Sequence, residues 1–235
     1  MHRVAIIQPS YIPWRGFFDI LHSVDVFVHL DDVQYTARDW RSRNRVRQAG
    51  AASQWLTVPV LAERGQRLDT VRIDYSQAWP RKHLATLRQT YAKMPHFSTY
   101  FAQLEAIYQA APPLLVDLDI QLTERIAGWL GLRPRFVRAS AFGVEGVKDT
   151  RLIALVRAVG GDVYLSGPSA KDYIQPQLWQ DAGIALAWAD YAGYPPYPQV
   201  AGEFDPFVSV LDLLFAVGPE APAYIWGARR AAAQP

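Results

Sequence analysis

Three runs decide how this chain folds: Val4-Ala5-Ile6-Ile7-Gln8-Pro9, then Phe17-Phe18-Asp19-Ile20-Leu21, then Val26-Phe27-Val28-His29-Leu30. The first is short and apolar throughout, as in a strand buried on both faces. It stops at Gln8-Pro9, because proline has no N–H to give to a central ladder. Phe17, Phe18, Ile20, Leu21 and Val24 recur at helical spacing, which predicts an amphipathic helix. The third run reads as a second strand, bounded by Asp31-Asp32. Strand, helix and strand in such a short stretch make a βαβ unit, whose crossover is right-handed.

Working outward, strands are expected at 55–60, 71–74, 136–138, 163–165 and 184–188. Helices are expected over 80–92, 97–110, 113–130, 150–159, 177–182 and 207–217. Pro80 suits a first helical position and Gly131 a helix stop. Residues 34–48 break both periodicities and read as an arginine-rich loop. The fold class predicted is α/β, a Rossmann-like, mostly parallel sheet with a helical insertion. Residues 1–235 are expected to form one domain, with 80–131 as the helical insertion or cap.

Composition narrows the function classes. Half of the 235 residues are hydrophobic and 13% aromatic, enough to bury a core and exclude disorder as the main state. There is no cysteine, which removes disulfides, thiolate nucleophiles and cysteine-type zinc sites. With 24 basic against 22 acidic residues, bulk charge makes no case for a nucleic-acid partner. The histidines at 2, 22, 29, 83 and 96 show no ligand spacing, so no metal site is expected from them. No window holds eighteen apolar residues, and the run Val4–Ile7 is too short for a signal peptide, which predicts a cytoplasmic address without a membrane span.

Open parallel sheets bind ligands beyond the carboxyl ends of their strands. Four polar clusters fall at such ends. Gln8, Ser10, Tyr11, Trp14 and Gly16 follow the first strand, offering neutral hydrogen-bonding groups and aromatic walls, although two prolines also shape a turn there. Asp31, Asp32 and Gln34 follow the second strand, where a carboxylate holds Mg²⁺ or accepts a sugar hydroxyl, or simply makes a turn. Arg38, Trp40, Arg43 and Asn44 belong to the arginine loop, a pattern that clamps phosphates and stacks on a ring. Ser166, Gly167, Ser169, Lys171 and Tyr173 follow a late strand, as an anion-binding loop without the P-loop glycine and lysine spacing. Lys82 and His83, at a helix start, and Glu203, in an aromatic and proline-rich stretch, are further candidates. The expectation that ties these together is geometric: segments 8–16, 31–45 and 166–173 converge on one concave pocket.

Several of these stretches resemble the WbqC-like protein family. They are Ile6 to Asp19, Asp25-Val26-Phe27-Val28, Leu30 to Gln34, Trp55-Leu56-Thr57-Val58-Pro59-Val60 and Tyr164-Leu165-Ser166-Gly167-Pro168-Ser169. Gly202-Glu203-Phe204, Asp212 to Phe215 and Gly218-Pro219-Glu220 fit the same pattern. Two positions depart from it: Ile7 stands where relatives commonly carry histidine, and Ser10 where asparagine is usual. The resemblance implies a part in making surface polysaccharide such as O-antigen. The first βαβ unit is also similar to that of nucleotidylyltransferases with a His-x-Gly-His motif, but both histidines of that motif are absent.

The function expected is an intracellular transferase acting on a nucleotide-linked amino sugar, with acyl or aminoacyl transfer as its chemistry. Gln8, Asp32 and Ser166 would orient the acceptor, the arginines would clamp phosphates, and Lys171 would neutralise developing charge. The substrate is a small molecule, phosphorylated or nucleotide-linked. The alternatives are nucleotidyl transfer with Mg²⁺ as cofactor on Asp31 or Asp32, and a noncatalytic nucleotide- or carbohydrate-binding module.

Overall fold

The computed structural model describes residues 1–48, 51–200 and 202–227. In chain order its elements are β1 (Arg3–Ile7), α1 (Arg15–His22), β2 (Val26–His29), β3 (Arg43–Gln48), β4 (Ala51–Thr57), β5 (Val60–Leu61) and β6 (Arg72–Ile73). There follow α2 (Trp79–Tyr91), α3 (Phe97–Ala110), α4 (Leu115–Trp129), β7 (Arg135–Arg138) and α5 (Lys148–Ala158). The chain continues through β8 (Val163–Ser166), α6 (Pro176–Asp181), β9 (Ala185–Trp188) and α7 (Val210–Val217).

Five strands form one parallel sheet in the order β7-β2-β1-β8-β9. Strand side chains alternate between faces, and both faces here are covered. Val4, Ile6, Val26, Val28 and Tyr164 pack with Leu155, Val156 and Trp179 from α5 and α6. Ala5, Phe27 and Leu165 point the other way, into the larger core with Phe18 of α1, Leu118 of α4 and Phe215 of α7. This is the Rossmann-like, mostly parallel sheet expected from the alternation of strands and helices.

The chain direction of the strand order reverses between β1 and β8, and the sheet opens there. β1 and β8 pair only through Arg3 with Val163 and Val4 with Tyr164. Beyond that, β1 stays with β2 as far as Ile7 opposite His29, while β8 stays with β9 as far as Ser166 opposite Trp188. The two halves therefore fork at their carboxyl ends, which is where such sheets place a ligand crevice.

Between β2 and β7 the chain builds α2, α3 and α4 and two antiparallel pairs, β3 with β4 and β5 with β6. The three helices lie where periodicity predicts them. The arginine-rich stretch corrects the expectation: its second half is not loop but strand β3. Its apolar signal is reduced to Val46, so the period of two was invisible. The strand is set by its partners instead, with Asn44 opposite Leu56 and Arg45 opposite Trp55. The strand expected at 55–60 is likewise divided, β4 ending at Thr57 and β5 beginning after Pro59. The last helix starts three residues later than expected, at Val210, where Ser209 caps it by accepting a hydrogen bond from the Leu211 N–H at 3.3 Å. Among the described residues no helix is long and apolar enough to cross a membrane.

Candidate functional site

The fork opens into a pocket of about 490 Å³. Gln8, Ser10, Pro13 and Trp14 line it from the turn after β1, and Trp40, Arg41, Asn44 and Arg45 from the stretch leading into β3. Ser169 contributes from the short 3-10 turn after β8, and Tyr191 and Phe207 from later loops. Segments 8–16, 31–45 and 166–173 thus each reach one cavity, the second only from Trp40 onward and the third only through Ser169.

The turn after β1 is held in an uncommon shape. Ile12 is buried with φ +37°, a region that β-branched residues avoid. Such a conformation persists only when its surroundings over-determine it. Here the Asn44 amide donates to the carbonyls of Tyr11 at 3.1 Å and Ile12 at 2.9 Å, while its own oxygen accepts from the Arg45 N–H at 2.7 Å. The Tyr11 N–H donates to the Trp40 carbonyl and the Val210 N–H to the Pro13 carbonyl, each at 2.9 Å. Asn44 is therefore the clasp that locks the turn to β3.

Trp14 forms the aromatic wall. Its ring lies 5.1 Å from Tyr191, 6.1 Å from Tyr194 and 6.0 Å from Phe207, centre to centre. The indole folds back over Gly16, where an added Cβ would stand 2.3 Å from the ring. A Gly16→Ala variant must push the indole out of that cluster, and overpacking of this kind costs about 1–3 kcal/mol. Its thermal midpoint should fall and the pocket should lose its wall; an unchanged midpoint would show that the indole moves freely. Arg15 secures the same region, donating to the Pro195 carbonyl at 2.8 Å and stacking on Tyr194 at 4.9 Å and Tyr197 at 5.4 Å.

Gln8 is aimed by Arg41. The Arg41 Nε donates to Gln8 Oε1 at 2.6 Å, Nη2 donates to the same oxygen, and Nη1 donates to Asp39 at 2.9 Å. With its oxygen taken, the Gln8 amide has only N–H groups left for a pocket occupant. Behind this pair sits Asp119 of α4, fully buried with neither carboxylate oxygen hydrogen-bonded. Burial drives its pKa well above the usual carboxylate range, with the Arg41 charge opposing.

Gln8, Ser10, Trp14, Trp40, Asn44 and Ser169, then, are brought together by the fork. The structure places the other candidates elsewhere. Tyr11 is buried, its hydroxyl bonded to Tyr108 and 2.8 Å from His83 Nδ1. Gly16 lies beneath the Trp14 ring. Asp31 is buried and accepts from the Ser140 N–H at 2.9 Å and hydroxyl at 2.7 Å, while Asp32 pairs with Arg151. Asp31 would have to leave its partners to hold Mg²⁺, whereas Asp32 keeps one buried oxygen, Oδ1, without a hydrogen-bond partner. Among the described residues no three histidine, aspartate or glutamate side chains are grouped to hold a metal. Gln34 is exposed, bridged to Arg67, and Arg38, Lys82, Tyr173 and Glu203 are also exposed. Arg43 stacks on Trp55, and Lys171 lies over Trp188 with its Nζ 5.6 Å from the ring centre. Ser166 is buried at the end of β8, and Gly167 leads into the turn that carries Ser169.

Arg41, Arg45, Tyr191 and Phe207 line the pocket without having been singled out as site residues. Tyr191 and Tyr194 come from loops that sequence periodicity does not place, and Phe207, expected to open the last helix, lies in the loop before it. Only the aromatic richness of that stretch pointed to a wall.

Two buried groups give the fold an acid response of opposed signs. Burial lowers His83 from 6.5 to about 4. Its unfolded form takes up a proton first as pH falls from 6.5 to about 4, removing about 3 kcal/mol of stability. Burial raises Asp212 of α7 from 3.8 to about 6. Here the native form protonates first, adding about 3 kcal/mol over the window from about 6 to 3.8. Asp212→Asn should therefore lose stability more steeply than wild type on acidification through this range, and His83→Gln less steeply. Parallel urea-midpoint profiles for all three proteins would contradict both assignments.

An open α/β sheet whose strand-order reversal carries a polar and aromatic cleft places this chain in the Rossmann-like class. Within that class the chain belongs to the WbqC-like protein family, whose model matches residues 8–224. The chain is 39% identical over 228 residues to uncharacterized protein Rv1507c of Mycobacterium tuberculosis, a match covering 96% of this chain and 98% of that protein. No solved structure matches.

Proposed function

We propose that this protein is a transferase that binds a nucleotide-linked sugar in the fork pocket and modifies it during assembly of a surface polysaccharide. The observation that carries this reading is the combination of arginine and exposed rings at the fork. Arg45 lines the cavity, with Asp205 at 3.5 Å its one carboxylate contact among the described residues. Trp40 and Phe207 flank it, both largely exposed. A guanidinium beside open aromatic faces suits a phosphate joined to a ring. Gln8 would donate its N–H groups to the sugar, and the Ser10 and Ser169 hydroxyls would read its oxygens or nitrogen.

The lining holds serine but no cysteine, lysine, histidine or carboxylate. That favours direct transfer between two bound substrates over a covalent intermediate, with rate gained from proximity and orientation. The same observation supports a second reading, a binding module without turnover.

A thermal-shift panel of UDP-, GDP-, dTDP- and CMP-linked sugars tests the proposal. A ligand at about a hundred times its Kd adds about 2.7 kcal/mol, which is roughly 5–10 °C for a chain of this size. The expected result is such a shift without added metal, removed by Arg45→Ala. A shift only with a nucleoside triphosphate and Mg²⁺ would favour nucleotidyl transfer. Mass spectrometry of products with candidate acyl and aminoacyl donors separates the transferase from the module.

A further inference from the structure

Beside the pocket runs a ledge that shares Trp40 with it and continues outward through Trp55 and Arg43. Trp40 and Trp55 are each 44% exposed, with ring centres 5.4 Å apart and planes tilted by 40°. Large aromatic rings left in water, on rigid backbone, mark contact surfaces rather than packing. The backbone here is rigid: Trp55 sits in β4 opposite Arg45, and the Trp40 carbonyl accepts the Tyr11 N–H. Arg43 stacks its guanidinium 4.3 Å from the Trp55 ring centre. No carboxylate pairs with Arg43 among the described residues; its Nε is enclosed, so the terminal N–H groups are the ones a ligand would meet. Stacking fixes a guanidinium while leaving its in-plane N–H fork open to a planar anion.

We infer that this ledge is a second subsite, which takes an acidic glycan segment: a pyranose ring against Trp40, with its carboxylate on Arg43. Three observations favour that occupant. The ledge is continuous with the fork pocket, since Trp40 lines both, so the inference rests on the pocket being the sugar site. Its free charge is cationic and its surface aromatic, complementary to a ring that bears an anion. The two indoles are tilted rather than parallel and number only two, which suits one sugar ring better than the run of stacked bases a single-stranded nucleic acid needs.

Isothermal titration of the full chain with trigalacturonate, maltotriose and a ten-nucleotide oligothymidylate tests this. Trigalacturonate is expected to bind at least tenfold more tightly than maltotriose, and Arg43→Gln to remove at least tenfold of that affinity with an unchanged melting temperature. Trp55→Leu, which removes the support under the guanidinium, is expected to act in the same direction. Trigalacturonate binding no better than maltotriose, binding unaffected by Arg43→Gln, or tighter binding of the oligothymidylate would each overturn the inference. UDP-N-acetylglucosamine is titrated in parallel as a pocket probe. If UDP-N-acetylglucosamine fails to bind while trigalacturonate binds and Arg43→Gln weakens it, the nucleotide-sugar reading of the pocket fails and the ledge keeps its glycan but not its link to the pocket.

Discussion

The Asn44→Ala variant is expected to be about 2–6 kcal/mol less stable than wild type: three hydrogen-bond partners left empty cost about 1–3 kcal/mol each, and release of strain at Ile12 returns about 1–3 kcal/mol. Those partners are the Tyr11 and Ile12 carbonyls and the Arg45 N–H. Part of the loss is offset, because the same bonds hold Ile12 at positive φ and its strain is released with them. Released, that residue relaxes toward ordinary backbone and the turn carrying Gln8 to Trp14 moves away from β3. The variant should therefore lose ligand binding at temperatures where it remains folded. Urea unfolding measures the first effect and titration of the folded fraction the second. A stability change under 1 kcal/mol would mean that the turn keeps its shape without Asn44.

Arg41→Ala is expected to weaken nucleotide-sugar binding at least a hundredfold, equivalent to about 2.7 kcal/mol. Arg41 gives two N–H groups to the Gln8 oxygen and a third to Asp39. Hydrogen bonds to a charged group contribute about 1.5–3 kcal/mol each, and their loss lets the Gln8 amide rotate. A free amide presents oxygen and nitrogen equally, so the donor pattern offered to a sugar is lost along with the local positive charge. Arg41→Lys should recover little, since one ammonium cannot hold Gln8 and Asp39 in the same plane. Affinity within threefold of wild type would remove Gln8 and Arg41 from the site.

Much of the architecture was legible because the sheet is buried on both faces. Val4 to Ile7 and Val26 to Val28 are apolar without a break, and α2, α3 and α4 keep a helical stripe. The arginine strand was not legible. Arg43, Asn44 and Arg45 carry no hydrophobic period, and β3 exists because β4 pairs with it and Trp55 accepts stacked guanidinium groups.

For the site, strand ends pointed to Gln8, Ser10, Trp14, Trp40, Asn44 and Ser169, since a parallel sheet gathers such ends on one rim. Which polar residues face the rim was not legible. Asp31 and Asp32 look like ligands in sequence, yet their partners, Ser140 and Arg151, lie more than a hundred residues away and turn both carboxylates to structural work. Tyr191 and Phe207 belong to loops whose path only the folded chain defines.

A crystal structure of the chain with UDP-N-acetylglucosamine, or with whichever nucleotide sugar gives the largest thermal shift, tests the central claim most directly. The account predicts the diphosphate within hydrogen-bonding distance of Arg45, a ring against Trp14 or Trp40, and the sugar beside Gln8. A ligand bound elsewhere on the molecule, with the space between β1 and β8 left empty, would contradict it.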